Sequence, residues 1–346
     1  MDAEHLWITV LAGGVGSRFW PVSTPERPKQ LLPLAGPRPL VRDTVDRART
    51  LVPDDRIRIL AGDHLADAFR GALPDLPASS YMVEPRARGT APVLAWAAWE
   101  LRRSDPDAVL VSLHSDHIIE PLDAFRTTVL GAAEIARSEG LLLTVGAVPD
   151  RIETGYGHIQ PGPAVPGPEG IDAFRVTAFH EKPDAATARR YGEAGYLWNT
   201  GIFVWSAATF LEELEAHAPE VAACLPLLED GPERFFEEVP SCVVDRAVLE
   251  RSARVACVRA SFDWDDIGSW NAMARTREAD GHGNVLHGDA RVVEGRDNVV
   301  WADQGQVVLW GVRDLVVVRT GDRTLVLPRD RAPHLKDLLN ALDDDR

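Results

Sequence analysis

The chain has 346 residues, with 37 Lys+Arg against 53 Asp+Glu, a formal charge of −16, 45% hydrophobic residues and 26% charged. That is the balance of a globular protein, and the length suits two domains or one large domain with an appendage. The acidic excess argues against a nucleic-acid partner, which would want a basic face, yet is compatible with small phosphorylated substrates held at a locally positive site or through a divalent cation. The N-terminal MDAEHLWITVLAGG has two acids and no Lys or Arg ahead of its apolar run, so it reads as a first strand and not a signal peptide. No apolar run reaches the roughly 18 residues of a membrane span, and no membrane partner is expected. Cys224, Cys242 and Cys257 form no C-x-x-C pair and are expected to be reduced, buried thiols of a cytoplasmic protein.

The N-terminal two-thirds alternates strand-length apolar runs with helical ones. Leu6–Leu11, Arg56–Ala61, Ser80–Glu84, Ala108–Leu113 and Leu141–Val148 are nearly continuous in apolar residues, as strands covered on both faces are. Between them Leu40–Leu51, His64–Leu73, Thr90–Arg103 and Asp123–Ser138 have helical patterns. The order predicts right-handed crossovers and an α/β fold with a mostly parallel sheet, whose ligands bind beyond the carboxyl ends of the strands. A second block, from Phe174 to about Ala279, mixes strands (Phe174–Phe179, Gly201–Trp205, Arg254–Arg259) with helices (Ala185–Ala194, Ala207–His217). From Asn284 the texture changes to short strands between Gly, Asp and Asn turns, which predicts a small all-β solenoid or sandwich without a strict repeat. Pro333–Leu342 reads as a closing helix and Asp343–Arg346 as a fraying end.

Directly after the first strand comes LAGGVGSRFWPVSTPERPK, Leu11 to Lys29. Gly13, Gly14 and Gly16 would let the backbone turn tightly and aim N–H groups at an anion. The Walker pattern fails for want of Gly-Lys-Ser/Thr, and the dinucleotide fingerprint fails because Phe19 stands where its third glycine belongs. What remains is a glycine loop followed by two cations, Arg18 and Lys29, which suit a pyrophosphate leaving group whose charge grows in the transition state. A plain glycine turn with surface Arg and Lys is the competing reading.

Five further segments follow in order: EPRARGTAP (Glu84–Pro92), SDHII (Ser115–Ile119), ETGYGHI (Glu153–Ile159), EKPDAATARRYGEAGYLWNTGIF (Glu181–Phe203) and WDDIGSW (Trp264–Trp270). With the glycine loop, they make the chain resemble the sugar-1-phosphate nucleotidyltransferases, and within them the mannose-1-phosphate guanylyltransferases, over nearly its whole length. The resemblance implies a Rossmann-like nucleotidyltransferase domain over residues 1–280 and a small β-helix-like appendage over 284–346. It also implies the monofunctional form, without the cupin-type isomerase domain of bifunctional relatives.

The resemblance assigns roles residue by residue. Arg18, Lys29 and Lys182 are the implied catalytic cations, Lys182 meeting the sugar phosphate. Leu11, Gly13, Gly14, Gly16, Ser17, Glu84, Pro85, Thr90 and Ala91 are the implied nucleotide site. Gly155, Glu181, Asn199 and Gly201 are the implied sugar contacts, with Gly157 bordering the same pocket. Asp116, at a strand end, and Asp266 are the implied ligands of Mg²⁺, for which Mn²⁺ would substitute; a hard cation of this kind prefers a few carboxylates plus phosphate oxygens. Taken without the resemblance, Asp116 reads as a turn residue, Asp266 as the cap of a helix opening at Ser269, and Glu181–Lys182 as a surface charge pair. Asp263 and Asp265 read as solvated or structural. The sequence departs from the family at Gly89, where relatives carry asparagine, and at His114, Ile152 and Arg323. Most of the ten tryptophans are expected in the core.

The implied activity is guanylyl transfer from GTP to mannose 1-phosphate, giving GDP-mannose and pyrophosphate; separately, the appendage has too few apolar strands for a large core of its own and is expected to bury its apolar face against the catalytic part or another subunit, which makes a homodimer an expectation. Two alternatives stand beside it: a nucleotidyltransferase for another hexose or heptose 1-phosphate, and a catalytically silent regulatory subunit of the same fold. Retention of Arg18, Lys29, Asp116, Lys182 and Asp266 favours an enzyme over a silent subunit.

Overall fold

A computed structural model describes residues 3–14 and 16–344. Its strands are β1 (Leu6–Leu11), β2 (Ile57–Gly62), β3 (Tyr81–Glu84), β4 (Val109–His114), β5 (Ile118–Glu120), β6 (Leu142–Ala147), β7 (Gly157–Ala164) and β8 (Ala173–Glu181). Further along come β9 (Leu197–Ser206), β10 (Val255–Arg259), β11 (Asp263–Asp265), β12 (Val285–Val293), β13 (Val299–Trp310), β14 (Leu315–Thr320) and β15 (Arg323–Pro328). The chain divides into two compact units. One comprises residues up to Gly13, Thr44–Ser115 and Ile119–Trp264; the other comprises Gly14–Asp43, Asp116–Ile118 and the chain from Asp265.

The first unit is built on a nine-stranded sheet in the order β3-β2-β1-β4-β9-β6-β10-β8-β7. β1, β2, β3 and β4 pair in parallel, as do β6 and β10, while β9 and β8 run against their neighbours. The sheet therefore has a largely parallel core into which β9 is inserted backwards. Burial explains the apolar runs: in β4 and β6 every residue but His114 is buried. The helix Thr90–Ser104 is apolar nearly all round, with Ala91 to Ala98 buried, because it packs in the core instead of on the surface. The helix Ala185–Glu193 is capped by Asp184, which accepts from the Thr187 amide at 2.7 Å, and Ala207–His217 by Ser206, which accepts from the Thr209 amide at 3.0 Å.

In the second unit β12, β13 and β14 stack in parallel, and β15 returns antiparallel to β14. This is a solenoid-like coil, not a sandwich. Val285, Val299 and Val316 lie in register and point inward, and a left-handed corner precedes each strand at Gly283 (φ 75), Asp297 (φ 58) and Asp314 (φ 56). The corners are tied by asparagines: Asn284 Oδ1 accepts from Asn298 Nδ2 at 2.9 Å, and Asn298 Nδ2 donates on to the Val312 carbonyl at 3.1 Å. Phe19, Val22, Leu32 and Leu34 share a core in this unit with Trp270, Trp301 and the coil's valines.

Several details differ from the expectations. Cys257 alone is buried; Cys224 and Cys242 are half-buried, all three without disulfides, and burial pushes each thiol up, that of Cys257 to about 12. Trp310 is 73% exposed, unlike the buried Trp198, Trp205, Trp270 and Trp301. Asp343 and Asp344, expected to fray, continue the helix Leu335–Asp344, and residues 345–346 lie outside the described residues. No described helix is long and apolar enough to cross a membrane.

Candidate active site

In the second unit, the glycine loop and the WDDIGSW turn are fastened by aromatic packing. Phe19, the residue that breaks the dinucleotide fingerprint, is fully buried with its ring edge-on to Trp270 at 5.1 Å, and Trp270 packs in turn against Trp301 at 5.7 Å. The loop carbonyls are also tied: Gly14 O accepts from Gln30 Nε2 at 2.8 Å and Gly16 O from Ser23 Oγ at 2.7 Å. With the carbonyls turned to these partners, the amides of Gly14, Gly16 and Ser17 donate to no protein acceptor among the described residues, which is the polarity an anion cradle requires. Gly16 is left-handed (φ 68), and a Cβ there would fall 2.6 Å from the Lys29 side chain. Glycine is what lets Lys29 cross the loop. Arg18 follows, exposed and without an ion pair among the described residues.

Lys29 has different immediate partners from those expected of a phosphate ligand. Its ammonium lies 3.0 Å from Asp116 Oδ2 and donates at 3.1 Å to each of the carbonyls of Asp266 and Ile267. An ammonium has three donors, so all three are engaged by protein oxygens, and Lys29 reaches a phosphate only by giving one up. Both Lys29 and Asp116 are only about an eighth exposed, at 12% and 13%.

The turn that carries Asp266 is held on both sides. Asp265 is buried; one of its oxygens accepts from the Ile267 amide at 2.9 Å, and the other pairs with Arg275 at 2.7 Å. Burial nonetheless raises the Asp265 carboxyl above the usual range, against the pull of Arg275. Asp265 is therefore structural, as expected. Asp266 does not cap the helix Trp270–Thr276; the capping position is Ser269, and it makes no side-chain cap bond. Gly268 leaves room for the Asp266 carboxylate, whose oxygens would be 3.0 Å from a Cβ there. Asp116, through its carboxylate, and Asp266, through its backbone carbonyl, thus meet one cation, the Lys29 ammonium, and the imidazole of His117 offers a ligand atom within 4.8 Å of that of Asp116. A carboxylate such as Asp116 suits a hard divalent ion such as Mg²⁺ or Mn²⁺, and an imidazole beside it is compatible with Mn²⁺.

In the first unit, the expected nucleotide residues lie at the ends of β1 and β3 and at the start of the helix Thr90–Ser104. The Leu11 carbonyl is taken by Ser115, from Oγ at 2.7 Å and from N at 3.1 Å. Gly13 is exposed, and a Cβ there would lie 3.9 Å from Glu84 Oε1. Glu84 is buried at the end of β3, followed by Pro85, and burial pushes its carboxyl up to about 7. The segment that follows is zipped to residues 242–244. Cys242 N donates to Arg88 O at 3.0 Å, Ala91 N to Cys242 O at 3.3 Å, and Val244 N to Thr90 Oγ1 at 2.9 Å. The Thr90 hydroxyl keeps its proton for another acceptor. Gly89 sits between them at φ 85, ψ −180, and a Cβ would meet Cys242 O at 2.3 Å. The asparagine expected from the family resemblance does not fit this backbone.

The expected sugar residues lie on β8 and β9 and in the turn ahead of β7. Glu181 ends β8 with its side chain 15% exposed, and its partner is Lys182, which is left-handed (φ 49) and 60% exposed. Gly155 is exposed in a turn, donating to Glu153 Oε1 at 2.9 Å. It is Gly157 that lies against Glu181, with a Cβ position 2.9 Å from Oε2. On β9, Asn199 Oδ1 accepts from Thr144 Oγ1 at 2.7 Å and from Gly201 N at 3.2 Å, while its Nδ2 donates to Asp245 Oδ1 at 3.0 Å. Gly201 (φ 71) is pressed by His114, whose Nε2 would be 2.7 Å from a Cβ. Sequence reasoning did not single out Thr144, Arg275 or Asp245; only the doublet Asp265-Asp266 carried a signal, as adjacent acids.

Comparison with known proteins covers both parts of the chain. Residues 8–282 match the family model described as nucleotidyl transferase, and residues 288–342 the one described as MannoseP isomerase/GMP-like beta-helix domain. The mannose-1-phosphate guanylyltransferase of Escherichia coli K12 is 35% identical over 361 residues, spanning 100% of this chain and 75% of the relative. The alginate biosynthesis protein AlgA of Pseudomonas aeruginosa PAO1 is 35% identical over 352 residues, 96% of this chain and 71% of its own. A crystal structure from Thermus thermophilus, described as a mannose-1-phosphate geranyltransferase, superposes with a TM-score of 0.88 at 33% identity, covering 98% of this chain and 99% of that one.

Proposed function

Because this chain belongs to the mannose-1-phosphate guanylyltransferases of the nucleotidyl transferase family, it transfers a guanylyl group from GTP to mannose 1-phosphate, giving GDP-mannose and pyrophosphate, and we propose that it does so by positioning and charge neutralisation, with no protein nucleophile. A phosphate oxygen of the sugar phosphate, ionised at neutral pH, attacks the α-phosphorus in line as the pyrophosphate oxygen leaves opposite. The observation that carries the reading is the convergence of Asp116 and the Asp266 turn on a single cation position.

Asp116 and Asp266 hold Mg²⁺, or Mn²⁺ in its place; when bound, the ion neutralises phosphate charge. The amides of Gly14, Gly16 and Ser17, with Gly13, Gly14 and Gly16 as the hinge, cradle the triphosphate, and Arg18 meets the charge that grows on the leaving pyrophosphate. Lys29 fixes Asp116 and turns to the phosphates at the cost of a carbonyl contact. Leu11, Glu84, Pro85, Thr90 and Ala91 border the nucleoside, Glu84 and Thr90 offering polar groups. Lys182 meets the sugar phosphate, while Glu181 and Asn199 bind ring hydroxyls, with Gly201 and the Gly155–Gly157 turn alongside.

We further propose a catalytic domain over 1–280 with the coil over 284–346 as its appendage, a cytoplasmic location consistent with three free thiols, and a homodimer. The dimer reading rests on an exposed apolar strip where Val293 (50% exposed) and Trp310 (73%) are register partners and Val308 (55%) lies two residues along on the same face. The central test is pyrophosphate release over a grid of nucleoside triphosphates and sugar 1-phosphates, with and without EDTA. The reading expects GTP with mannose 1-phosphate to dominate and EDTA to abolish turnover, restored by excess Mg²⁺ or Mn²⁺. Full turnover in EDTA would remove the metal from the scheme.

A further inference from the structure

Asn199 is less able to read a sugar than its type suggests. Its carbonyl oxygen has two lone pairs, and both are taken, by Thr144 and Gly201. One of its two N–H donors is spent on Asp245. The amide is therefore locked in one orientation, with nitrogen towards Asp245, and offers a hexose at most one donor and no acceptor. A ring hydroxyl has a proton to give, and carboxylates are what remain in this part of the unit to take it.

Asp245 opens a single π-type turn, Asp245–Leu249, between the buried Val244 and the buried Ala247, Val248 and Leu249. Such turns are uncommon, and they reposition one side chain relative to a regular helix. Apart from its own backbone amide, the carboxylate has one hydrogen-bond partner among the described residues, the neutral amide of Asn199 at 3.0 Å. Burial, reinforced by the charge of Glu181 and opposed by that of Lys182, pushes it up to about 6. Asp245 is half-buried with no cation hydrogen-bonded to it among the described residues, and carboxylates desolvated in this way are concentrated at binding sites. The same short segment is zipped through Cys242 and Val244 to Arg88, Thr90 and Ala91. Asp245 is thus fixed from two sides, by the nucleotide segment and by Asn199.

We propose that Asp245 is a sugar-binding and sugar-selecting residue, whose carboxylate accepts a ring hydroxyl of the hexose 1-phosphate beside Glu181. The inference rests on the sugar-site reading of Glu181 and Asn199 given above. Asp245 then holds Asn199 with one oxygen and the sugar with the other, so that a hexose with the hydroxyl turned the wrong way loses its acceptor. Specificity built on a buried hydrogen bond discriminates more sharply than an apolar pocket does.

The test is a profile of the parent protein, Asp245→Asn and Asp245→Ala against mannose 1-phosphate, glucose 1-phosphate and the single-deoxy mannose 1-phosphates, read as kcat and KM at saturating GTP, with KM for GTP measured separately at saturating mannose 1-phosphate. Thermal melts accompany the profile, and Asp245→Asn, nearly isosteric, covers failure of the alanine variant to fold. The expected result has three parts: KM for mannose 1-phosphate rises at least tenfold, KM for GTP changes less than about threefold, and one deoxy sugar that is poor for the parent is no worse than mannose 1-phosphate for the variants. A uniform loss across all sugars, with every deoxy penalty retained, would overturn the proposal and leave Asp245 as a brace for Asn199. If the parent itself ignores mannose 1-phosphate but turns over another hexose 1-phosphate, the assigned substrate fails, and the deoxy series of the accepted sugar decides Asp245 by the same criterion.

Discussion

The ammonium of Lys29 donates at 3.1 Å to the carbonyl of Ile267, a fully buried β-branched residue held at φ 42. A positive φ at such a residue costs about 1–3 kcal/mol and persists only where its surroundings fix it. Here Asp265 takes the amide of Ile267 and Lys29 takes its carbonyl. Lys29→Met should therefore destabilise by about 3 kcal/mol, since it both frees the turn and strands the mostly buried Asp116 charge. Adding Asp116→Asn should recover at least ~1 kcal/mol relative to the sum of the single losses, measured by urea unfolding. Strictly additive losses would show that the two side chains do not stabilise each other.

Arg18 is exposed and, among the described residues, unpaired by any acid. Its proposed partner carries more charge in the transition state than in bound GTP, so Arg18→Ala should lower kcat by ~10²-fold or more with a smaller change in KM for GTP. Melting temperature should be unmoved. A rise confined to KM would make Arg18 a uniform binding residue.

Glu84 should impose a pH dependence on stability. Its carboxyl is raised from 4.5 to about 7 by burial, so the folded chain binds that proton more tightly than the unfolded chain does. The associated stability is complete below about pH 4.5, declines as the pH rises through 7, and is gone above it. Glu84→Gln should accordingly melt higher than the parent at pH 8, by at most about 3 kcal/mol equivalent, with the advantage vanishing near pH 5. Scanning calorimetry across that range without nucleotide checks it; a difference independent of pH would exclude the buried carboxylate as its source.

The exposed strip on the coil gives a prediction about assembly. Trp310 is anchored by its indole N–H to Glu294 at 3.0 Å yet leaves most of its ring uncovered. Trp310→Glu should convert a dimer to a monomer in light scattering while leaving the melting of the chain within about 2 °C, the small effect usual for a surface substitution. An unchanged mass would remove this strip as the contact.

How far the sequence could be read follows from where the information lies. The first four parallel strands and their helices were legible because burial on both faces leaves continuous apolar runs. β7 was not: GHIQPGPA has two prolines and two glycines, and forms a strand because it lies at the end of the sheet order and is paired by β8 and β9. The coil's repeat escaped notice because its register spacing is unequal, Val285 pairing with Val299 and Val299 with Val316. Once aligned, Asn284-Val285, Asn298-Val299 and Leu315-Val316 are corresponding corners. Charged site residues carried motifs, whereas the features that aim them did not. The φ of Ile267, the π-type turn at Asp245 and the engaged donors of Lys29 arise from tertiary contact alone.

Gly89 has a consequence for the substitutions the chain can tolerate. At φ 85 and ψ −180, with Cys242 O at 2.3 Å from any Cβ, it cannot be exchanged singly for a residue with a side chain without moving the strip that also sets Thr90 and Asp245. Any such residue is strained and clashing until positions near 242 shift as well, and each such step costs stability on its own. Gly89 and the 242–244 strip are therefore a matched pair, and a side chain at position 89 is admitted only together with a compensating change on the strip that faces it.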